Sequence, residues 1–172
     1  VEIINIVRRA AQVDALKAEG ARHVLDETAP DFDAGLKTLC RTLNCRMALD
    51  AVGGQMTFRL LEALGPRCDI LIYGALSEAP ATLHPGTMIF KEARVEGFWL
   101  SQWLPRKSLP AMLWTLRQAT RALKGGFAES SVARIVDLAE AADAPAAYAA
   151  DMSAGKTLIR LSDADLGVAP GS

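Results

Sequence analysis

Short apolar runs alternate with helix-patterned stretches along most of this chain, and no other feature restricts its fold so much. A β-branched run at 3–7 reads as a buried strand, and residues 11–19 follow as a helix closed by Gly20. A short strand is expected at 23–25. Residues 31–43 then predict a helix, capped by Asp31 after Pro30, with Phe32, Leu36, Leu39, Cys40 and Leu43 on one face. Next come a strand at 46–50, a helix over 54–64 ended by Gly65 and Pro66, and the apolar strand 68–73. Residues 76–87, rich in Pro, Ala and Ser, read as a loop before Ile89, Phe90 and a strand that opens on Ala93 and closes on Trp99. Strands alternating with helices predict an α/β fold whose parallel sheet is covered on both faces.

The pattern changes after Trp103. Residues 108–124 predict a long covering helix, with Leu109, Leu113, Leu116, Thr120 and Leu123 at helical spacing and a stop at Gly125 and Gly126. A strand at 132–136, an alanine-rich helix over 137–152 interrupted or kinked by Pro145, and a last strand at 157–161 complete the elements. Residues 162–172 are expected to be a loose tail in which Asp163 and Asp165 are plain surface charges.

Charge and cysteine usage narrow the partners. The 19 Lys and Arg against 20 Asp and Glu give no electrostatic reason to expect nucleic acid or a membrane surface. Three cysteines, Cys40, Cys45 and Cys68, form neither a CxxC pair nor an even framework, which predicts a reduced, cytoplasmic protein. With only His23 and His84 to join them, a structural zinc site is disfavoured and no metal is expected. No apolar run reaches membrane-span length, and the opening Val-Glu-Ile-Ile does not read as a secretory signal.

In open α/β sheets ligands bind beyond the carboxyl ends of the strands, so the residues that follow each strand are the informative ones. Arg8 and Arg9 stand between the first strand and a helix start, where the helix dipole makes paired cations unfavourable and an anion would resolve the conflict. In a dinucleotide-binding sheet, arginine at such a position accommodates the 2′-phosphate of NADP, where an acid would select NAD. The bland alternative is two solvated arginines neutralised by Asp26 or Glu27, and the residues by themselves favour it. Gly53 and Gly54 after the 46–50 strand, and Tyr73, Gly74, Ala75 and Leu76 after the next, allow either a close ligand approach or an ordinary turn. Phe98, Trp99 and Leu100 end the last of these strands as either a flat-ring binding wall or buried edge aromatics. His23 borders a strand, His84 sits in a loop, Lys156 is by default a turn residue, and none of them reads as a catalytic base.

Taken in order, these segments resemble a known family. Asn5-Ile6-Val7-Arg8-Arg9, Glu19-Gly20-Ala21-Arg22-His23-Val24, Asp50-Ala51-Val52-Gly53-Gly54 and Tyr73-Gly74-Ala75 are similar to motifs of the cofactor half of the medium-chain dehydrogenase/reductase superfamily. Ile89-Phe90-Lys91 followed by Gly97-Phe98-Trp99-Leu100-Ser101-Gln102-Trp103 is sharper and resembles the zinc-free 2-enoyl-thioester reductases, with quinone oxidoreductases as near relatives. The resemblance implies a Rossmann-like doubly wound parallel sheet. It further implies NADPH contacts at Arg8, with Arg9 as a helper, at Gly53 and Gly54, at Tyr73 to Leu76, at Phe98 to Leu100 and at Lys156.

It also implies what should lie elsewhere. The superfamily's catalytic domain, first strand and glycine-rich turn have no counterpart before Ile3, nor has the tyrosine thought to assist proton delivery, so no catalytic residue is assigned. The expected layout is a partial NADP-binding domain at 1–130, a segment at 131–161 that returns to the catalytic domain, and the tail at 162–172. With the first strand absent from its slot between the second and fourth, unpaired backbone and the apolar faces of 3–7 and 47–49 should be exposed until another segment or partner chain fills it. The implied reaction is hydride transfer from NADPH to an activated alkene of a small-molecule or acyl-thioester substrate. The implied assembly is a homodimer through the strand from Ala93 to Trp99. The alternatives are quinone reduction, or a nucleotide-binding or dimerisation module with no turnover of its own.

Overall fold

The computed structural model describes residues 1–125, 132–150 and 155–161. Two compact units divide the chain, Val1–Arg106 and Lys107–Ser172. In the first, the order is β1 (Ile4–Val7), α1 (Ala10–Ala18), β2 (His23–Asp26), α2 (Phe32–Thr42), β3 (Met47–Asp50), α3 (Gln55–Ala63), β4 (Asp69–Ile72), α4 (Pro85–Lys91), β5 (Arg94–Gly97) and α5 (Leu100–Trp103). The second holds α6 (Leu109–Lys124), β6 (Val132–Asp137), a 3-10 turn at Leu138–Glu140, α7 (Ala144–Ala150) and β7 (Lys156–Arg160). The expected tail at 162–172, with Asp163 and Asp165, lies outside the described residues.

All strand pairs are parallel, as alternation with helices requires, because a parallel neighbour can be reached only by a crossover. The first unit does not form one continuous sheet. β1 pairs with β2, and β3-β4-β5 form a second sheet, so β1 and β3 have no strand between them among the described residues. That is the break expected between the second and fourth strands. Ile3, Met47 and Leu49 are 63%, 64% and 64% exposed, as an unfilled position predicts for apolar strand residues.

One core nevertheless joins both sheets. Phe32, Leu36 and Cys40 from α2 meet Met56, Leu60 and Leu61 from α3 over Ile70, with Ile4, Ile6, Leu25, Ala48 and Ile72 packed at its margin. The predicted one-faced pattern of α2 is realised, since Phe32, Leu36 and Cys40 are its buried residues. Its end is set by Asn44 at a left-handed φ of 51°, with Cys45 N–H donating to the Cys40 carbonyl at 2.8 Å and Asn44 N–H to that of Arg41 at 3.3 Å. Burial, with Cys45 alongside, pushes the Cys40 thiol up to about 12.

Two expectations need correction. Residues 85–91, read as loop followed by Ile89 and Phe90, are α4: Pro85 opens it and His84 caps it, its Nδ1 accepting from Thr87 N–H at 3.3 Å. The Pro- and Ala-rich composition concealed a helix of about two turns with sound start signals. The last strand of the first unit stops at Gly97, and Trp99 instead precedes α5, because Phe98 N–H makes the final ladder bond to Ile72 at 2.7 Å. The long helix α6 forms as spaced, with Leu109, Leu113, Leu116 and Leu123 all exposed. The interruption expected in the 137–152 helix is present, as a 3-10 turn at Leu138–Glu140 followed by α7 with Pro145 in its first turn.

Candidate functional site

The carboxyl ends of β3, β4 and β5 share one edge of their sheet, and three of the predicted segments meet there. Gly53 and Gly54 adopt φ of 73° and 58°, a left-handed pair that L side chains resist, and they turn the chain from β3 into α3. The next loop lies directly on this turn. Tyr73 N–H donates to the Asp50 carbonyl at 2.9 Å, Leu76 N–H to that of Ala51 at 3.3 Å and Ser77 N–H to that of Val52 at 2.9 Å. A Cβ on Gly74 would stand 2.5 Å from the Ala51 carbonyl oxygen, and one on Gly54 2.7 Å from Ser77 Oγ. Gly74 is therefore required by backbone contact between the two loops, and Gly54 by its positive φ, independently of any ligand.

Around this frame the exposed groups are apolar or aromatic. Tyr73, Leu76, Trp99 and Leu100 are 55%, 64%, 66% and 59% exposed at the strand ends. Phe98 packs edge-on against Trp103, with ring centroids 5.7 Å apart, which orients the short α5 that carries Leu100. The result is an apolar rim on a backbone-locked loop pair, suited to stacking and to hydrogen bonding through main-chain groups.

Arg8 and Arg9 belong to the other sheet, at the carboxyl end of β1, where Arg9 is the residue before α1. α1 has no acid in its first turn, so the electrostatic conflict read from the sequence is real. Glu27, not Asp26, answers Arg8, with Nε to Oε1 at 3.0 Å while the arginine side chain stays 52% exposed. Asp26 is engaged by the Thr28 hydroxyl and N–H, which hold its carboxyl below the usual range. Lys156 stands in the second unit, exposed at the first position of β7. The structure thus gathers Gly53, Gly54, Tyr73 to Leu76 and Phe98 to Leu100 on one sheet edge, and Arg8 and Arg9 on the neighbouring sheet of the same unit.

Sequence reading missed three contributors. Asp50 is 2% exposed and accepts from Val52 N–H, Gly53 N–H and the Thr57 hydroxyl. Thr57 is wholly buried beside it. Arg59 of α3 lies over the Phe32 ring at 4.1 Å, pairs with Asp33 at 2.6 Å and donates to the Glu27 carbonyl at 3.2 Å, tying the segment that holds Arg8's partner to the helix after Gly54. A polar residue ending an apolar strand was the available signal for Asp50; nothing local marked Arg59.

A family model described as zinc-binding dehydrogenase matches residues 1–118. The chain belongs to that family. This bears out the resemblance to the cofactor half of the medium-chain reductases. The mouse mitochondrial enoyl-[acyl-carrier-protein] reductase is 37% identical over 105 residues, which is 58% of this chain and 28% of that protein. A solved structure described as a candidate NADPH:quinone reductase from Mesorhizobium loti is 37% identical with a TM-score of 0.77, covering 91% of this chain and 45% of that one. A structure of Etr1p with NADP and crotonyl-CoA, at 24% identity and a TM-score of 0.72, shares the fold over 91% of this chain and 46% of that one. This zinc-binding dehydrogenase chain therefore spans less than half the length of these relatives.

Among the described residues no three His, Cys, Asp or Glu side chains cluster as metal ligands. Among the same residues no helix is long and apolar enough to cross a membrane.

Proposed function

We propose that this zinc-binding dehydrogenase chain is the cofactor-binding part of an NADPH-dependent reductase of activated C=C bonds, with 2-enoyl thioesters as the substrate class. The observation that carries the reading is the sheet edge where Gly53 and Gly54, Tyr73 to Leu76 and Phe98 to Leu100 converge, with two arginines closing the neighbouring strand. The donor set fits the cofactor. Arg8 and Arg9 flank an acid-free helix start, a setting suited to a 2′-phosphate dianion. The interlocked glycine loops offer backbone groups to ribose and amide, and Trp99 with Leu100 offers a wall to a flat ring. When bound, NADPH supplies the hydride; this chain's residues bind, orient and shield it.

Quinone reduction is the second reading, supported by the 37% identical structural neighbour. Residues 1–130 make the cofactor-binding part in this proposal, 131–161 return to a catalytic domain, and Lys156 adds a cation to the site. A further strand, from elsewhere in the polypeptide or a partner chain, is proposed to enter between β1 and β3, whose facing edges lack partners among the described residues. β5 ends its sheet, and homodimerisation through it is proposed; a Val95→Pro chain that still elutes as a dimer would exclude that edge. A reducing compartment, the cytoplasm, is the proposed setting.

Calorimetric titration with NADPH and NADH tests the cofactor assignment. Micromolar NADPH binding, weak NADH binding and a loss with Arg8→Ala are the expected results. Equal affinity for both nucleotides would remove Arg8 from its role.

A further inference from the structure

We propose that Asp50 is a positioning residue of the nucleotide site, held in place by Thr57, a role that rests on the cofactor reading above. Its carboxylate is 2% exposed, and among the described residues its hydrogen-bond partners are two backbone amides and a threonine hydroxyl, with no cation. Burial without a counter-charge is costly, so both oxygens need donors. Three are present: Oδ1 accepts from Val52 N–H at 2.8 Å and Gly53 N–H at 2.9 Å, and Oδ2 from Thr57 Oγ1 at 2.6 Å. Thr57 is fully buried on α3, so its hydroxyl is fixed by packing.

The geometry makes this carboxylate the internal latch of the 51–54 turn. That turn is also the template for the neighbouring loop, because the Ala51 and Val52 carbonyls receive the Leu76 and Ser77 amides. Gly74 approaches the Ala51 backbone too closely for any side chain between them, and Gly54 faces the Ser77 hydroxyl across the same contact. Asp50 therefore touches no ligand in this arrangement; it sets where Tyr73, Gly74, Ala75 and Leu76 stand. A residue that merely stabilised the fold would lower the unfolding midpoint and leave the affinity of the folded protein unchanged.

The test uses the full chain with Asp50→Asn, Asp50→Ala, Thr57→Ser and Thr57→Val. Asparagine keeps Oδ1 for both amides and turns Nδ2 to the threonine oxygen, and serine keeps the hydroxyl, so both conservative variants should bind NADPH within about threefold of the parent. Asp50→Ala should lose about tenfold in affinity, with Leu76 and Ser77 amides exchanging about tenfold faster while the Cys45 amide is unchanged. Thr57→Val should fall between, and serves if the alanine variant does not fold. Unchanged affinity in both Asp50→Ala and Thr57→Val, or unchanged exchange at Leu76 and Ser77, overturns the proposal. Absence of NADPH binding by the parent chain would instead overturn the cofactor reading and the nucleotide role with it, and amide exchange would still decide whether Asp50 latches the two loops.

Discussion

The two sheets of the first unit are held by different physics. Around β3, β4 and α3 the residues are locked: Leu61 is wholly buried, Ile70 is 1% exposed, and Asp50 and the glycine turn are fixed by backbone bonds. β1 and β2 contain no fully buried residue, and the contacts at their ends are exposed ion pairs such as Arg8 with Glu27 and Arg22 with Glu2. Buried packing and backbone hydrogen bonds fix geometry, whereas exposed pairs contribute little and rearrange easily. The difference assigns the parts: β3 to β5 supply a preformed frame, and β1 supplies charge that can turn toward a ligand.

Substitutions in the two halves should therefore separate stability from binding. The largest effect is expected for Leu61→Ala, which empties a fully buried site between α2 and α3 and should cost about 2–5 kcal/mol in urea unfolding. A cost near zero would mean the frame is not the rigid half. Lys91→Met should come next. Its ammonium caps the end of α3 by donating to the Leu61, Glu62 and Leu64 carbonyls at 2.8, 2.9 and 2.8 Å, and its loss should cost about 1–3 kcal/mol.

Gly74→Ala sharpens the same contrast within the frame. Since the new Cβ would meet the Ala51 carbonyl oxygen, the loop must move, with an expected loss of about 1–2 kcal/mol and weaker NADPH binding together. Arg8→Ala should give the smallest change in stability, under about 1 kcal/mol, because its pair with Glu27 is half exposed. Its effect should fall on nucleotide choice: NADPH should lose its advantage over NADH while the unfolding midpoint stays put. A large drop in that midpoint would place Arg8 among the structural residues and undo the comparison.

Local patterns made much of this legible. The Phe32, Leu36, Cys40 spacing of α2, the Gly20 stop at φ 95° and the β-branched first strand are properties of short segments, and they stand where expected. α4 was concealed because a seven-residue helix has too few turns to show a period above its Pro- and Ala-rich surroundings. The Arg8 partner was narrowed to Asp26 or Glu27 but not chosen, because Thr28 takes Asp26 through a local turn that charge pattern does not reveal.

The glycine requirements show where local reading ends. Gly54 and Gly74 were marked as positions of close approach, yet what approaches is the neighbouring loop of the same chain, at Ser77 and Ala51. Such a contact spans a full helix and strand, so no short window of sequence contains it. The sequence by itself determined the alternation of strands and helices, the parallel pairing that follows, and the residue types standing at each strand end, because these depend on periodicity and turn chemistry within a few residues. Only the tertiary structure decided that Asp50 is buried with no cation beside it among the described residues, that Thr57 and two amides satisfy it, and that Lys91 caps a helix some 30 residues away. Hydrogen-bond satisfaction in a buried site is set by what packs around it, and that is a property of the assembled fold.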